Sequence, residues 1–529
     1  MSILLAQSLK PFLAEIIIFI GAIIILIKGT FNNKKTEENC INTSYIIAIF
    51  SLIFATFFIF DNLHNNFLGN TENIISKIAQ ENHNITARFS PEVISLAIKN
   101  TSASNIIKII TAILTTVLII NNRRFLKEIN KNHSEFLSLV LIAVVGGFIM
   151  ISAQSFLIFY LGLELQTLSL YLLAAINKKS NQSQLKNDKE VIENQMASEA
   201  GIKYFILGSV ASAMLLFGIS LIYGYSGTIN FNMLIENKSN IFHSAGLLTG
   251  WVFILTAMFF KVAAAPFYMW SPDVYQGSNT TTTNFFASIV KVFVVFATLK
   301  IATIIFYSWP EINQILLSIG VFSIIFGGFA TIKQQNLKRF LAYSSIVHIG
   351  FILLAIGSIN NKISNINNIQ QVTICYLAIY SLITFASFLI INSYQSNQHS
   401  QNFISINQLS GLARKQPFAG FCFAVLMFSN AGIPPLAGFF AKFLVISTLI
   451  EQKLTIIAII ATVFTAVSAF YYLRIVKSCY FGEANEETIS FSFNLVNKIT
   501  LLIIISLNIL LIFGFDYLYS LVLQILQNQ

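Results

Sequence analysis

Residues 250–266, GWVFILTAMFFKVAAAP, decide how the chain is read: the stretch is apolar almost throughout, yet it carries Lys261 and ends in a proline. A lysine at the centre of a bilayer is disfavoured by roughly 2.5–3.5 kcal/mol on insertion scales. Lys291 and Lys442 lie equally deep in other apolar runs. Three such amines must be hydrated, paired or neutralised, and residues of this kind mark ion paths.

The chain around that stretch is 55% hydrophobic and 10% charged over 529 residues, with a mean hydropathy of +0.73. This balance is that of a polytopic membrane protein. Apolar runs long enough to span fall near 12–28, 44–60, 105–121, 134–151, 153–176, 200–224, 245–263, 284–304, 312–332, 339–358, 371–393, 416–450, 454–473 and 499–515, about fourteen by the length a bilayer requires. An open sheet edge cannot be satisfied in hydrocarbon, and the runs lack the alternation of barrel strands, so the expected fold class is all α. Lys and Arg gather in alternate connectors, among them Lys34, Lys35, Arg123, Arg124, Lys178, Lys179, Lys333, Arg414, Lys415 and Arg474. The positive-inside rule then places both termini outside. That bias accounts for most of the net charge of +10, so no nucleic-acid partner is read from it.

Several chemistries are excluded by what the motifs lack. Cys40, Cys375, Cys422 and Cys479 stand singly, with no C-x-x-C pair for zinc or an iron–sulfur cluster. No glycine-rich phosphate loop occurs. No metal site or cofactor is therefore expected in this chain. The apolar stretch after Lys10 reads as a retained helix and not as a cleaved presequence. Residues 61–104 and 177–198, rich in Asn, Ser, Lys and Glu, read as solvated connectors.

Pro266, and the pair Pro434 and Pro435, interrupt apolar helical runs. Each proline removes an amide donor and clashes with the preceding turn. The carbonyls of Val262, Asn430 and Ala431 are thereby freed and must meet water or a cation, because lipid cannot satisfy them. Broken helices at membrane depth line wet cavities, as at the midplane sites of transporters. A lone proline is more often a passive kink; Lys261 before one break and Lys442 after the other change that reading by giving both a titratable neighbour. Glu164, near the centre of an apolar run, is the acid that wants a cationic partner, and Lys261 is its candidate. A Glu–Lys pair that opens and closes is a proton switch, whereas a fixed pair is merely structural. His348, the histidine well inside an apolar run, suits a relay. Glu15 is a weaker case near its helix entrance, and Lys108 and Lys203 are expected to snorkel toward the interface.

Four segments, SEAGIKYFILGS from Ser198, KVAAAPFYMWSPDVYQG from Lys261, LKRFLAYSSIVHIGF from Leu337 and GIPPLAGFFAKF from Gly432, together resemble the NADH dehydrogenase subunit 2 family, the antiporter-like N-type membrane subunits of respiratory complex I. The resemblance runs from roughly residue 134 to 477 and implies fourteen helices with two inverted five-helix repeats, each containing a broken helix. The implied domains are 1–133 as N-terminal helices with the outer insertion, 134–311 and 312–477 as the two antiporter-like repeats, and 478–529 as the C-terminal helix and tail. It also implies roles: Glu164 and Lys261 as a coupled pair, Lys291 as the central relay lysine, His348 as a relay and Lys442 on the exit side. NADH, FMN, iron–sulfur clusters and ubiquinone would belong to other subunits, and neighbouring antiporter-like subunits and membrane lipids would be the partners.

The sequence departs from the family at NTTTTN, residues 279–284, where the family usually has a proline. A subunit of a multisubunit cation/proton antiporter is the alternative, since broken helices and buried lysines are shared. A structural subunit that has lost transport is a third, against which Glu164, Lys261, Lys291 and Lys442 speak. Enrichment in Ile, Asn and Lys suggests an AT-rich genome and a mitochondrial inner membrane, with a bacterial inner membrane as the alternative.

Overall fold

The computed structural model describes residues 10–31, 37–67, 98–123, 126, 133–176, 188–236, 244–359, 363–394, 404–483 and 490–527. Backbone buried in hydrocarbon must bond within its own segment, and the described residues are helical with isolated bridges only. In chain order α1 is Leu13–Thr30, α2 Glu37–Phe67, α3 Ser102–Asn121, α4 His133–Ser152, α5 Phe156–Ala175 and α6 Asp188–Ser226. Then come α7 Ala245–Val262, α8 Trp270–Gly277, α9 Thr280–Asn284, a π-helical turn Phe285–Val290 and α10 Lys291–Ser308. They are followed by α11 Asn313–Ile332, α12 Leu337–Gly357, α13 Ile363–Asn392, α14 Pro417–Ala431, α15 Ala437–Glu451, α16 Thr455–Phe481 and α17 Leu495–Gln527.

Among the described residues thirteen helices are long and apolar enough to cross a membrane. The remaining span expected at 416–450 is the pair α14 and α15, each 15 residues long and separated at the prolines. The all-α reading therefore holds, and each expected span has a helical counterpart. Most of the insertion at 61–104 lies outside the described residues, at 68–97, as do residues 177–187 of the second. Residues 188–198, expected as connector, instead begin α6. This polar stretch forms the first turns of a helix whose apolar part starts later, a continuation that composition alone conceals.

The chain divides into two compact units, one of residues 1–170, 215–254 and 521–529 and one of residues 171–214 and 255–520. In the first, α1 packs on α2 and α4, and α2 on α3. Gly146 of α4 and Gly162 of α5 bring two backbones together there. A Cβ on Gly146 would lie 2.7 Å from the Gly162 carbonyl oxygen, and one on Gly162 2.9 Å from that of Gly146. Small residues permit this approach between membrane helices.

In the second unit α11 packs along α12, and α14 against α16. The helices bearing Lys291 and His348 are buried along nearly their whole length, which places those two side chains in its interior. An element order of three helices, one broken helix and one further helix occurs twice, as α4, α5, α6, α7/α8, α10 and again as α11, α12, α13, α14/α15, α16.

Candidate functional site

The break at Pro266 follows from local bonding. α7 ends at Val262, the next residue, Ala263, has φ +61°, and its amide and that of Ala264 fold back on the carbonyls of Phe260 (3.0 Å) and Phe259 (2.9 Å). The Ala265 amide is taken up by Ser323 Oγ of α11 at 3.0 Å. Trp270 Nε1, opening α8, donates to the Phe260 carbonyl at 2.9 Å. Lys261 occupies the last turn before this break, and its Nζ donates to Ser212 Oγ of α6 at 3.2 Å and Tyr171 Oη at 3.5 Å.

At the second break α14 ends in Gly432, with φ +81°. The freed carbonyls are those the proline rule predicts: Lys442 Nζ donates to the Asn430 oxygen at 2.8 Å and the Ala431 oxygen at 3.0 Å, with Ser468 Oγ at 3.1 Å. The cation that satisfies them is thus supplied by the following half-helix. It also sits at the negative end of the α14 dipole. The two halves are tied by Asn508 of α17, whose Oδ1 accepts from Ser429 Oγ (3.0 Å) and the Ala437 amide (3.1 Å).

Lys291 opens α10 directly after the π-helical turn, a distortion common at functional sites. Its Nζ donates to Ser345 Oγ of α12 at 2.5 Å. Asn279, which opens the NTTTTN segment, caps α9 by accepting from the Thr281 amide at 2.9 Å. His348 bridges two phenols, Nδ1 lying 2.9 Å from Tyr376 Oη and Nε2 3.3 Å from Tyr472 Oη. A neutral imidazole has one N–H and one lone-pair nitrogen, so it can donate to one phenol while accepting from the other.

Lys291, His348 and Lys442 are buried within the second unit. Among the described residues neither Lys291 nor Lys442 has a carboxylate within ion-pair distance; their partners are neutral oxygens. Glu164, half-buried on α5, belongs to the first unit. Its Oε2 accepts from Thr167 Oγ1 at 3.4 Å, and Oε1 has no hydrogen-bond partner among the described residues.

Several charged groups stand differently from the expectation. Lys108 does not snorkel: its side chain is 1% exposed and forms a 2.6 Å ion pair with Glu15, and it also donates to Asn100 Oδ1 at 2.7 Å. A buried carboxylate lies within reach, and pairing with it offsets the cost of taking the amine out of water. Lys203, by contrast, keeps 41% exposure while bonding Glu199 and Asp273. Asp273 of α8 also accepts from Arg339 of α12 at 2.7 Å. Lys338, at the start of α12, is buried and donates to the Ser278 carbonyl at 2.9 Å. A motif such as SPDVYQG shows that Asp273 is present, but not that two cations from distant helices converge on it.

Residues 153–468 match the family described as NADH:quinone oxidoreductase/Mrp antiporter, TM. NADH-quinone oxidoreductase subunit N of Parvibaculum lavamentivorans is 35% identical over 482 residues, covering 90% of this chain and 89% of the relative. That of Pelagibacter ubique is 35% identical, covering 91% of each. Among solved structures, a chain of respiratory complex I from Thermus thermophilus with bound aureothin superposes with a TM-score of 0.72 at 24% identity, covering 96% of this chain and 99% of that one. A chain of the Mrp complex from Dietzia sp. DQ12-45-1b gives a TM-score of 0.75 at 18% identity over 98% of this chain and 97% of that one; at these identities the two structures establish the shared fold. The match across more than half the chain, with full-length relatives above the identity at which membership is secure, makes this chain a member of the NADH:quinone oxidoreductase/Mrp antiporter family, on its NADH-quinone oxidoreductase subunit N branch.

Proposed function

We propose that the chain is the proton-translocating N-type membrane subunit of respiratory complex I, moving protons along Glu164, Lys261, Lys291, His348 and Lys442 while quinone is reduced elsewhere in the assembly. The observation that carries the reading is that Lys291 and Lys442 are buried against neutral oxygens, with no carboxylate in ion-pair contact among the described residues. An amine held this way can lose and regain a proton without breaking an ion pair, so a static structural bridge does not account for it. Relatives covering nine-tenths of the chain carry the subunit N name, which favours complex I over a cation/proton antiporter subunit; the matching family's description also names Mrp antiporters, and the Mrp chain at 18% identity shares the fold.

In this scheme ionisation of Glu164 controls how firmly Lys261 holds its proton, and the released proton passes by way of Lys291 and His348 toward Lys442. The breaks at Pro266, Pro434 and Pro435 expose backbone carbonyls that polarise the path. The repeats 134–311 and 312–477 would each supply one broken helix. NADH, FMN, iron–sulfur clusters and ubiquinone reside with partner subunits, and neighbouring antiporter-like subunits and lipids cover the exposed apolar faces. The relatives named above are bacterial, which weighs toward a bacterial inner membrane over the mitochondrial address suggested by composition.

The test is Lys261→Met in the purified, reconstituted complex, with proton uptake measured against NADH oxidation. Loss of the subunit's pumping is expected. Full pumping at normal turnover refutes the assignment.

A further inference from the structure

The second unit holds a group of buried hydroxyls that the lysines and histidine do not explain. Tyr275, Tyr376, Tyr380, Tyr471 and Tyr472 are all buried. Five phenols in an apolar interior require partners, because a buried hydroxyl left unbonded costs about 1–3 kcal/mol. Yet Tyr275, Tyr380 and Tyr471 make no direct hydrogen bond through Oη to any described residue. Phenylalanine would fill the same space without that cost, and this chain uses it freely, with 50 Phe against 18 Tyr.

Their positions are ordered. Ser345, which receives the Lys291 amine at 2.5 Å, also lies beside the Tyr275 and Tyr380 hydroxyls without a direct bond to either. The Tyr380 ring faces His348 at 5.3 Å between centroids, and Tyr376 Oη lies 2.9 Å from the imidazole Nδ1. On the other side of the imidazole, Tyr472 Oη lies 3.3 Å from Nε2. The Tyr471 and Tyr472 rings are 4.6 Å apart. Tyr471 lies beside Ser468, and Ser468 receives the Lys442 amine at 3.1 Å. Hydroxyls thus fill the intervals from Lys291 to His348 and from His348 to Lys442.

We infer that Ser345, Tyr380 and Tyr376 on one side of His348, and Tyr472, Tyr471 and Ser468 on the other, form a hydroxyl relay that passes protons between Lys291 and Lys442. The inference rests on the function proposed above and names residues that would perform it. A hydroxyl both donates and accepts, so it passes a proton by releasing its own as it takes another, without becoming charged. The Lys291 ammonium gives one proton to Ser345, each hydroxyl releases one onward, and the imidazole gains a proton on one nitrogen and loses one from the other. The Lys442 amine ends as the ammonium. Every intermediate group finishes with the protons it began with, its hydroxyl turned or its tautomer exchanged, and rotates back before the next passage. Tyr380 and Tyr471 are the two steps without a direct bond, and a bridging water serves each, as buried polar groups commonly recruit one.

The test uses Tyr380→Phe and Tyr471→Phe in the complete reconstituted complex. Each removes only an oxygen that makes no direct protein bond, so folding and assembly should survive. Proton uptake per NADH oxidised is compared with that of wild type and of Lys442→Met, whose difference is the contribution of this path. Each Phe variant should lose at least four-fifths of that difference. Wild-type uptake in both Phe variants, with uptake lowered in Lys442→Met, overturns the relay while leaving the proposed function standing. Wild-type uptake in Lys442→Met as well overturns that function and the relay with it. Should Tyr471→Phe fail to assemble, Ser468→Ala interrupts the same step and is read by the same criterion.

Discussion

Gly432→Ala gives a sharp test of the second break, because the structure separates two effects at one position. Gly432 has φ +81°, and an L-residue in the left-handed region costs roughly 1–2 kcal/mol. A Cβ there would also lie 2.9 Å from Cδ of Lys442, so the lysine must shift away from the carbonyls of Asn430 and Ala431. Destabilising the bonded arrangement by about 1–2 kcal/mol lowers its population some five- to thirty-fold relative to competing arrangements. Proton uptake through the subunit should fall within that range in proteoliposomes, measured by a pH-sensitive dye and normalised to NADH oxidation. Gly227→Ala is the control: its φ is +71°, but a Cβ there meets nothing within 4 Å. It carries the backbone strain without moving Lys442 and should leave uptake near the wild-type level. Equal uptake in Gly432→Ala and Gly227→Ala would refute the view that Lys442 must hold the end of the broken helix.

Two further predictions concern stability. Glu15→Leu or Lys108→Met alone leaves the other charge buried without its ion-pair partner and should cost about 3–5 kcal/mol, whereas the double replacement recovers most of it; thermal unfolding of the detergent-solubilised complex measures both, and additive losses would argue against a coupled pair. Asn508→Leu strips the acceptor from the Ala437 amide and Ser429 hydroxyl, a loss of about 1–3 kcal/mol for each group left unbonded; protease cleavage near 432–436 should accelerate, and Asn508→Asp, which retains the acceptor, should restore resistance.

Much of the architecture was legible because a bilayer imposes a one-dimensional rule. A segment crosses only if it is apolar for long enough and bonds its own backbone, so span count and the two interruptions follow from local sequence. The capture of the Asn430 and Ala431 carbonyls by a cation was likewise foreseeable from Pro434 and Pro435, since the ring of each proline removes a specific donor. Asn279 shows a limit. Residues 279–284 read only as a departure from the resembled family, and the folded chain shows a side-chain cap opening α9 there.

What the residues determined by themselves was the all-α membrane fold, its broken helices and the depth of Lys261, Lys291, His348 and Lys442. What only tertiary structure decided was partnership. Glu15 meets Lys108 across 93 positions of chain, Tyr472 reaches His348 across 124, and Asp273 gathers Lys203 and Arg339 from separate helices. Hydropathy reports how far a side chain lies from water, a property its own neighbours in sequence fix. Which groups stand within 3 Å of it depends on how helices rotate and pack, and that is settled by contacts between residues the chain order keeps far apart.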